Sequence, residues 1–165
     1  MRALWIVLAL AGTASAGTPK PPADQAKQTA EAWLEALGDK PDAALALTGD
    51  PLTTIIVVDG PHPADCPAQA KGAAAIGKAL ACVAKAGPTG SVEAWSKDAA
   101  RAVQAPLKGK LSKITAFEKT ATLVHRHEKC AGQGSDLIVA VAADPADKAK
   151  AKVVAVFYQA ITCGE

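Results

Sequence analysis

Between residues 110 and 163 the chain carries four short runs of apolar or alternating character, at 111–117, 121–129, 136–143 and 151–161. The links between them, at 118–120, 130–135 and 144–150, are polar or contain Gly or Pro. Parallel neighbours need a crossover of roughly a dozen residues or more, so links this short favour strands that run antiparallel. The expected centre of the fold is a four-stranded antiparallel meander, with everything before it packed over one face.

The upstream residues read mostly as helices. Asp24 can cap a helix at 25–37, where Ala26, Ala30, Trp33, Leu34 and Leu37 recur at spacings of three and four and mark one face. Gly38 ends it. A short helix at 41–47 has Pro41 in its first turn. Residues 53–58 (TTIIVV) are β-branched throughout and read as a strand buried on both sides or nearly so. Ile76, Leu80 and Val83 share a face of a helix at 68–86, closed by Gly87-Pro88. Ser91 can cap a further helix at 92–104, with Trp95, Ala99 and Val103 in a stripe. Helices segregated from an antiparallel sheet define an α+β domain, here one domain over residues 24–165.

The N-terminus points to export. Met1-Arg2 is followed by the apolar run 3–11 and by Ala14-Ser15-Ala16, the anatomy of a signal peptide cleaved after Ala16. The run falls short of the ~20 apolar residues that span a bilayer. Residues 17–23 form a Pro-rich tether. The cleaved chain keeps 17 of the 18 Lys and Arg and all 16 Asp and Glu. That near-neutral balance is no footprint for nucleic acid or acidic lipid. An exported chain meets oxidising conditions, so the four cysteines read as disulfides. Three pairings are open. Cys66–Cys82 is favoured because a loop of that length closes readily. Cys130–Cys163 is favoured because strands two and four of a meander end at the same edge. The lysines at 148, 150 and 152 read as protection of an edge strand.

The run AWLEALGDKPDAALALTGDPLTTIIVVDG, followed by KGAAAIGKALACV, resembles the opening of NTF2-like (SnoaL-like, cystatin-like cone) domains. The matching residues are Gly38-Asp39, 43–47, 55–58, and Gly72 with Ile76. The likeness covers 24–86 in detail and 111–163 in outline; a helix around Trp95 departs from it. It implies helices on a curved antiparallel sheet, with a conical pocket open at one end. Its members include isomerases, hydrolases, binding subunits and domains without known activity, so the likeness fixes no chemistry.

Few residues announce a reaction. His125 and His127 lie two apart on an expected strand, hence on one face and about 6.6 Å apart along it. Two imidazoles so placed can share a transition metal only if a third ligand converges; a solvated face or a pocket mouth is the plainer reading. Tyr158 is expected to line the pocket on the face of Val154 and Val156, and Trp33 to stand beside it or anchor the core. Asp50, Asp59 and Asp65 flank the first strand, where Asp beside Gly or Pro is usually turn chemistry. Residues 132–136 (GQGSD) match neither a nucleophile elbow nor a phosphate loop. No catalytic set assembles. The expected function is binding of a small apolar ligand or a protein partner in or near the cone, with no cofactor, no nucleic acid and no membrane after cleavage. A homodimer stays open. The alternatives are a pocket isomerase or hydrolase using one buried Asp or His, and a metal-binding protein built on His125 and His127.

Overall fold

The first stripe forms where its spacing puts it. In the computed structural model, which describes residues 19–58, 61–128 and 133–162, α1 spans Ala23–Asp39 and buries Ala26, Ala30, Trp33, Leu34, Ala36 and Leu37. Asp24 sits inside the first turn, not at the cap, where a carboxylate still meets the positive end of the helix dipole. After α2, Pro41–Ala46, comes β1, Thr48–Val58. Trp33 is fully buried. Its indole N–H donates to the Thr48 hydroxyl at 2.9 Å, and that hydroxyl donates to the Ala44 carbonyl at 2.7 Å. One buried indole thus joins α1, α2 and β1 with its polar atom satisfied.

The expected helix at 68–86 is shorter. Gln69–Ala70 form β2, a two-residue strand antiparallel to β1. Gly72, at φ 79°, turns the chain into α3, Ala73–Ala86, a backbone angle that glycine adopts without a Cβ clash. The expected helix at 92–104 divides in two. Glu93–Ala94 form β3, and α4 is confined to Lys97–Ala102. The cap is Ser96, whose hydroxyl accepts the Ala99 N–H at 3.0 Å; Ser91 plays no such part.

The first expected strand of the meander is helical. Leu107–Lys110 make a 3-10 turn, Leu111–Ala116 form α5, and Phe117–Lys119 make a second 3-10 turn. Leu107, Leu111, Ile114 and Phe117 recur at four, three and three, a helical period that the apolar content of the run disguised. Three long strands follow: β4, Thr122–Glu128; β5, Gln133–Ala143; and β6, Ala151–Thr162. They form the expected antiparallel meander.

The sheet order is β2-β1-β6-β5-β4-β3. β1 lies parallel to β6, so the six-stranded sheet is mixed and the expectation of a purely antiparallel one is corrected. The chain from β1 to β6 is long enough for a parallel neighbour, which the short links of the meander are not. β6 is therefore central, and Lys152 guards no edge: its ammonium donates to the Ala46 carbonyl at 2.5 Å and lies 3.6 Å from Asp144. Asp144 also accepts the Ala146 N–H in the β5–β6 turn, and that bond, with Lys152 and Lys150 nearby, holds its carboxyl below the usual range.

Both faces of the sheet are covered, where cover on one was expected. On one face α1, α2 and α3 bury Leu52, Ile56, Val124, Leu137, Val139, Val156 and Tyr158. On the other, the segment from Val103 to Phe117 buries Leu123, Ile138, Ala140, Ala155 and Phe157. The rings of Phe117 and Phe157 meet edge-on, their centroids 5.8 Å apart. The register between β5 and β6 shifts between Ala140 and Val141. Val153 and Val156 consequently share the α1 face, and Val154 packs on the opposite side from Tyr158. Cys66 and Cys82 are bridged, with Cα atoms 5.9 Å apart. Cys130 and Cys163, like the signal segment and most of the tether, lie outside the described residues. One disulfide is thus observed, where two were expected.

If Trp33 is the anchor of this side of the sheet, Trp33→Ala should lower the unfolding free energy by about 3–5 kcal/mol. Urea denaturation would read this as a lower midpoint at unchanged slope. A change within about 0.5 kcal/mol, typical of a surface site, would place the indole outside the core.

Candidate functional site

Several cavities open among the described residues, and two of them adjoin a histidine with defined hydrogen-bond partners. The first begins at the outer edge of β1. β2 continues the sheet only briefly, and the next edge donor, the Ile56 N–H, is taken by the His62 side chain: Nδ1 accepts it at 3.1 Å. A backbone N–H can only donate, so Nδ1 carries the lone pair and Nε2 carries the proton. Nε2 then donates to the Cys66 carbonyl at 2.9 Å. The imidazole stands in for the missing strand, between the prolines Pro61 and Pro63. The Cys66–Cys82 bridge ties the far end of this loop to α3.

Between loop, bridge, α3 and the end of β1 lies a cleft of about 440 Å³, lined by Ile56, Val58, Pro63, Ala81, Cys82 and Ala86 among others. Asp65, Lys78 and Lys85 bring the charged groups of its wall. Val58 is 39% exposed and is the large exposed hydrophobic recorded among the described residues. Asp50, on the same strand, accepts the Gly72 N–H at 3.1 Å, which is turn chemistry, as expected. Asp59 lies outside the described residues.

The second place is on β4. His125 and His127 share a face, as their spacing requires, but it is the face turned from α1. Trp95 meets the His125 ring edge-on, the centroids 5.7 Å apart. Trp95 itself follows β3 and donates its indole N–H to Glu118 at 2.7 Å; it lies outside any helix, contrary to the expected stripe. His127 and Asp136 are cross-strand partners, and Nδ1 lies 2.5 Å from Asp136 Oδ1.

The orientation of this pair follows from fixed backbone groups. The Leu107 N–H donates to Gln159 Oε1 at 2.8 Å, so the Gln159 amide nitrogen must point the other way. That nitrogen donates to the Gln104 carbonyl at 3.0 Å and to Asp136 Oδ2 at 2.5 Å. The Gln104 N–H donates to the same Oδ2 at 3.0 Å. Asp136, with a side chain 2% exposed, thus accepts two donors on one oxygen and His127 on the other. Nδ1 of His127 carries the proton, and Nε2 has no partner among the described residues. His127, with His125, Lys27, Ser91 and Arg126, lines a cavity of about 240 Å³.

The remaining expected site residues are distributed otherwise. Trp33 is core. Tyr158 is 6% exposed and packs with the α1-side core. Beyond it on the same face, Ser135 donates to Glu128 at 3.0 Å and accepts from Arg126 at 3.4 Å, and Arg126 lies 3.5 Å from Glu128. Gly90, at φ 94°, lets the loop approach Arg126: a Cβ there would lie 2.6 Å from the guanidinium. The Arg126 Nε is buried and unpartnered among the described residues. No group of three or more His, Cys, Asp or Glu among those residues is placed to hold a metal ion, and no helix among them is long and apolar enough to cross a membrane.

No protein-family model matches the chain, and no curated protein does. Among solved structures, an NTF2-like protein of unknown function from Pseudomonas putida KT2440 is similar. It is 14% identical over 87% of this chain and 89% of that chain, with a TM-score of 0.46. The likeness is weak. Nothing about either cavity comes from it.

Burial raises the Tyr158 phenol above its ordinary value; the Arg126 charge opposes this and Glu128 adds to it. The chain has one tyrosine, so absorbance at 295 nm reports this group alone. The native protein should ionise above the ordinary ~10, with Arg126→Ala moving the transition up and Glu128→Gln moving it down. The neutral phenol favours the fold below the unfolded value, and that contribution disappears as pH rises through the folded one. A transition at the unfolded value would show that Tyr158 is in water.

Proposed function

We propose that the chain is an exported, disulfide-tied binding domain that holds a small apolar ligand in the cleft beside Cys66–Cys82. The observation that carries this is Val58. A singly exposed valine needs no explanation, but Val58 continues the apolar lining of Ile56, Pro63, Ala81, Cys82 and Ala86 into one concave wall. The cleft has a volume of about 440 Å³ and is walled by alkyl groups, the disulfide cysteines and the charged Asp65, Lys78 and Lys85, a size and character suited to a small molecule. Two lysines against the single Asp65 in the lining favour a ligand with an apolar body and one acidic group.

The His62 loop and the bridge give the cleft a rigid wall. A cleft held open before binding spends little free energy on ordering when a ligand arrives. Binding, with no bond made or broken, is the reading for this place.

The probe 1-anilinonaphthalene-8-sulfonate has an aromatic body and one anionic group. It should bind saturably at one site per chain, with enhanced emission. Ala81 is an exposed lining residue of α3, so Ala81→Trp fills the cleft without disturbing the core. It should weaken binding at least tenfold, as should Val58→Asp. Equal affinity in both variants would remove the cleft as the site.

Export rests on the sequence of residues 1–16, with the observed bridge as support, since such bonds persist outside reducing compartments. N-terminal sequencing of the natural product should begin at Gly17. A product that keeps residues 1–16 in a reducing compartment would overturn this half of the proposal.

A further inference from the structure

The pair on β4 and β5 does more than the binding cleft requires. We propose that His127 is a general base, positioned by Asp136, which hydrolyses a small ester in the cavity at the open edge of β4.

Three observations meet there. The chain of fixed donors from Leu107 through Gln159 leaves the Nε2 lone pair of His127 as the reactive atom. Asp136 is held by three donors inside the protein, so the imidazolium formed on taking a proton has a buried carboxylate against its Nδ1–H. β3 covers β4 only at Val124 and His125. The strand edge therefore opens beside His127, and a cavity of about 240 Å³ fills that gap, enough for an ester of a few heavy atoms. Lys27 and Arg126 reach the cavity from the α1 face, where Arg126 pairs with Glu128, and Glu93 lines it too, so the base and not an oxyanion site is what the geometry supplies. A pair kept only to pin the α4–α5 connection would need the carboxylate and the glutamine; it would not need an imidazole half-buried at a cavity wall.

The step balances with water alone. Nε2 takes a proton from water as its oxygen adds to the acyl carbon, and the carbonyl electron pair moves to oxygen. When the carbonyl re-forms, the alcohol leaves and takes the proton from Nε2. Ester and water become acid and alcohol, and the imidazole is neutral again.

The test is turnover of p-nitrophenyl acetate by the full mature chain. The wild-type protein should release nitrophenolate with kcat about 100-fold or more above His127→Gln, the usual reach of a positioned base. Asp136→Asn should lower kcat with KM little changed, as expected of a positioning residue. Lys148→Gln, exposed in the β5–β6 turn and outside the cavity lining, should keep the wild-type rate. Nitrogen NMR of the wild-type protein should show His127 protonated at Nδ1 and bare at Nε2, a signature that does not depend on any variant folding. Release no faster than from the unfolded chain, equal rates in His127→Gln, or the opposite tautomer would each overturn the proposal. None of these outcomes bears on the cleft beside the disulfide, whose variants are separate.

Discussion

The structure depends on the burial of β5 and β6 from both sides. Leu137, Val139 and Val156 face α1, while Ile138, Ala140 and Phe157 face the segment from Val103 to Phe117. A strand with two apolar faces cannot sit at the surface of a sheet without exposing one of them, and each fully buried large aliphatic or aromatic side chain is worth about 1.5–3 kcal/mol. Two layers of cover are therefore required. α1, α2 and α3 supply one, and the irregular run between β3 and β4 supplies the other.

That second layer explains the buried polar network. The run from Gln104 to Leu107 crosses the sheet without a regular partner, and its backbone groups would be orphaned beneath it. Gln159 and Asp136 project from the sheet to meet them. A carboxylate inside a protein needs donors of its own, and two of its three come from this same arrangement. His127 is the third. Its tautomer is therefore a consequence of how a non-helical segment is satisfied on the far side of the sheet. The other histidine with a defined role, His62, shows the same economy: it replaces a strand along the edge of β1 and holds one wall of the cleft.

Several of these features were legible in the residues alone. The three-and-four spacing of Ala26, Ala30, Trp33 and Leu37 defined α1, and the β-branched run at 53–58 defined a strand, of which Thr54 and Ile56 are buried while Thr53, Ile55 and Val57 are half-buried and Val58 is exposed. The meander of β4, β5 and β6 followed from link length. The run 111–117 misled because Leu, Ile and Phe suit a strand by type, while their spacing is helical. The shared face of His125 and His127 was readable from alternation; which side of the sheet it meets was not. Asp136 and Gln159 drew no attention, because a polar residue in a strand gains meaning only from its neighbour across the sheet. An Asp and a Gln inside otherwise apolar strands were the available signal.

What the sequence by itself determined is local: helix periods, β-branched runs, short antiparallel links and a loop able to close between Cys66 and Cys82. These follow from backbone geometry and side-chain type within a few residues. The tertiary structure alone decided that β1 runs parallel to β6, that both faces of the sheet are covered, that Val58 stands in a cleft wall, and that His127 meets Asp136. Each of those depends on which distant segments share a surface, and burial and the satisfaction of backbone donors are settled only when the whole chain has packed.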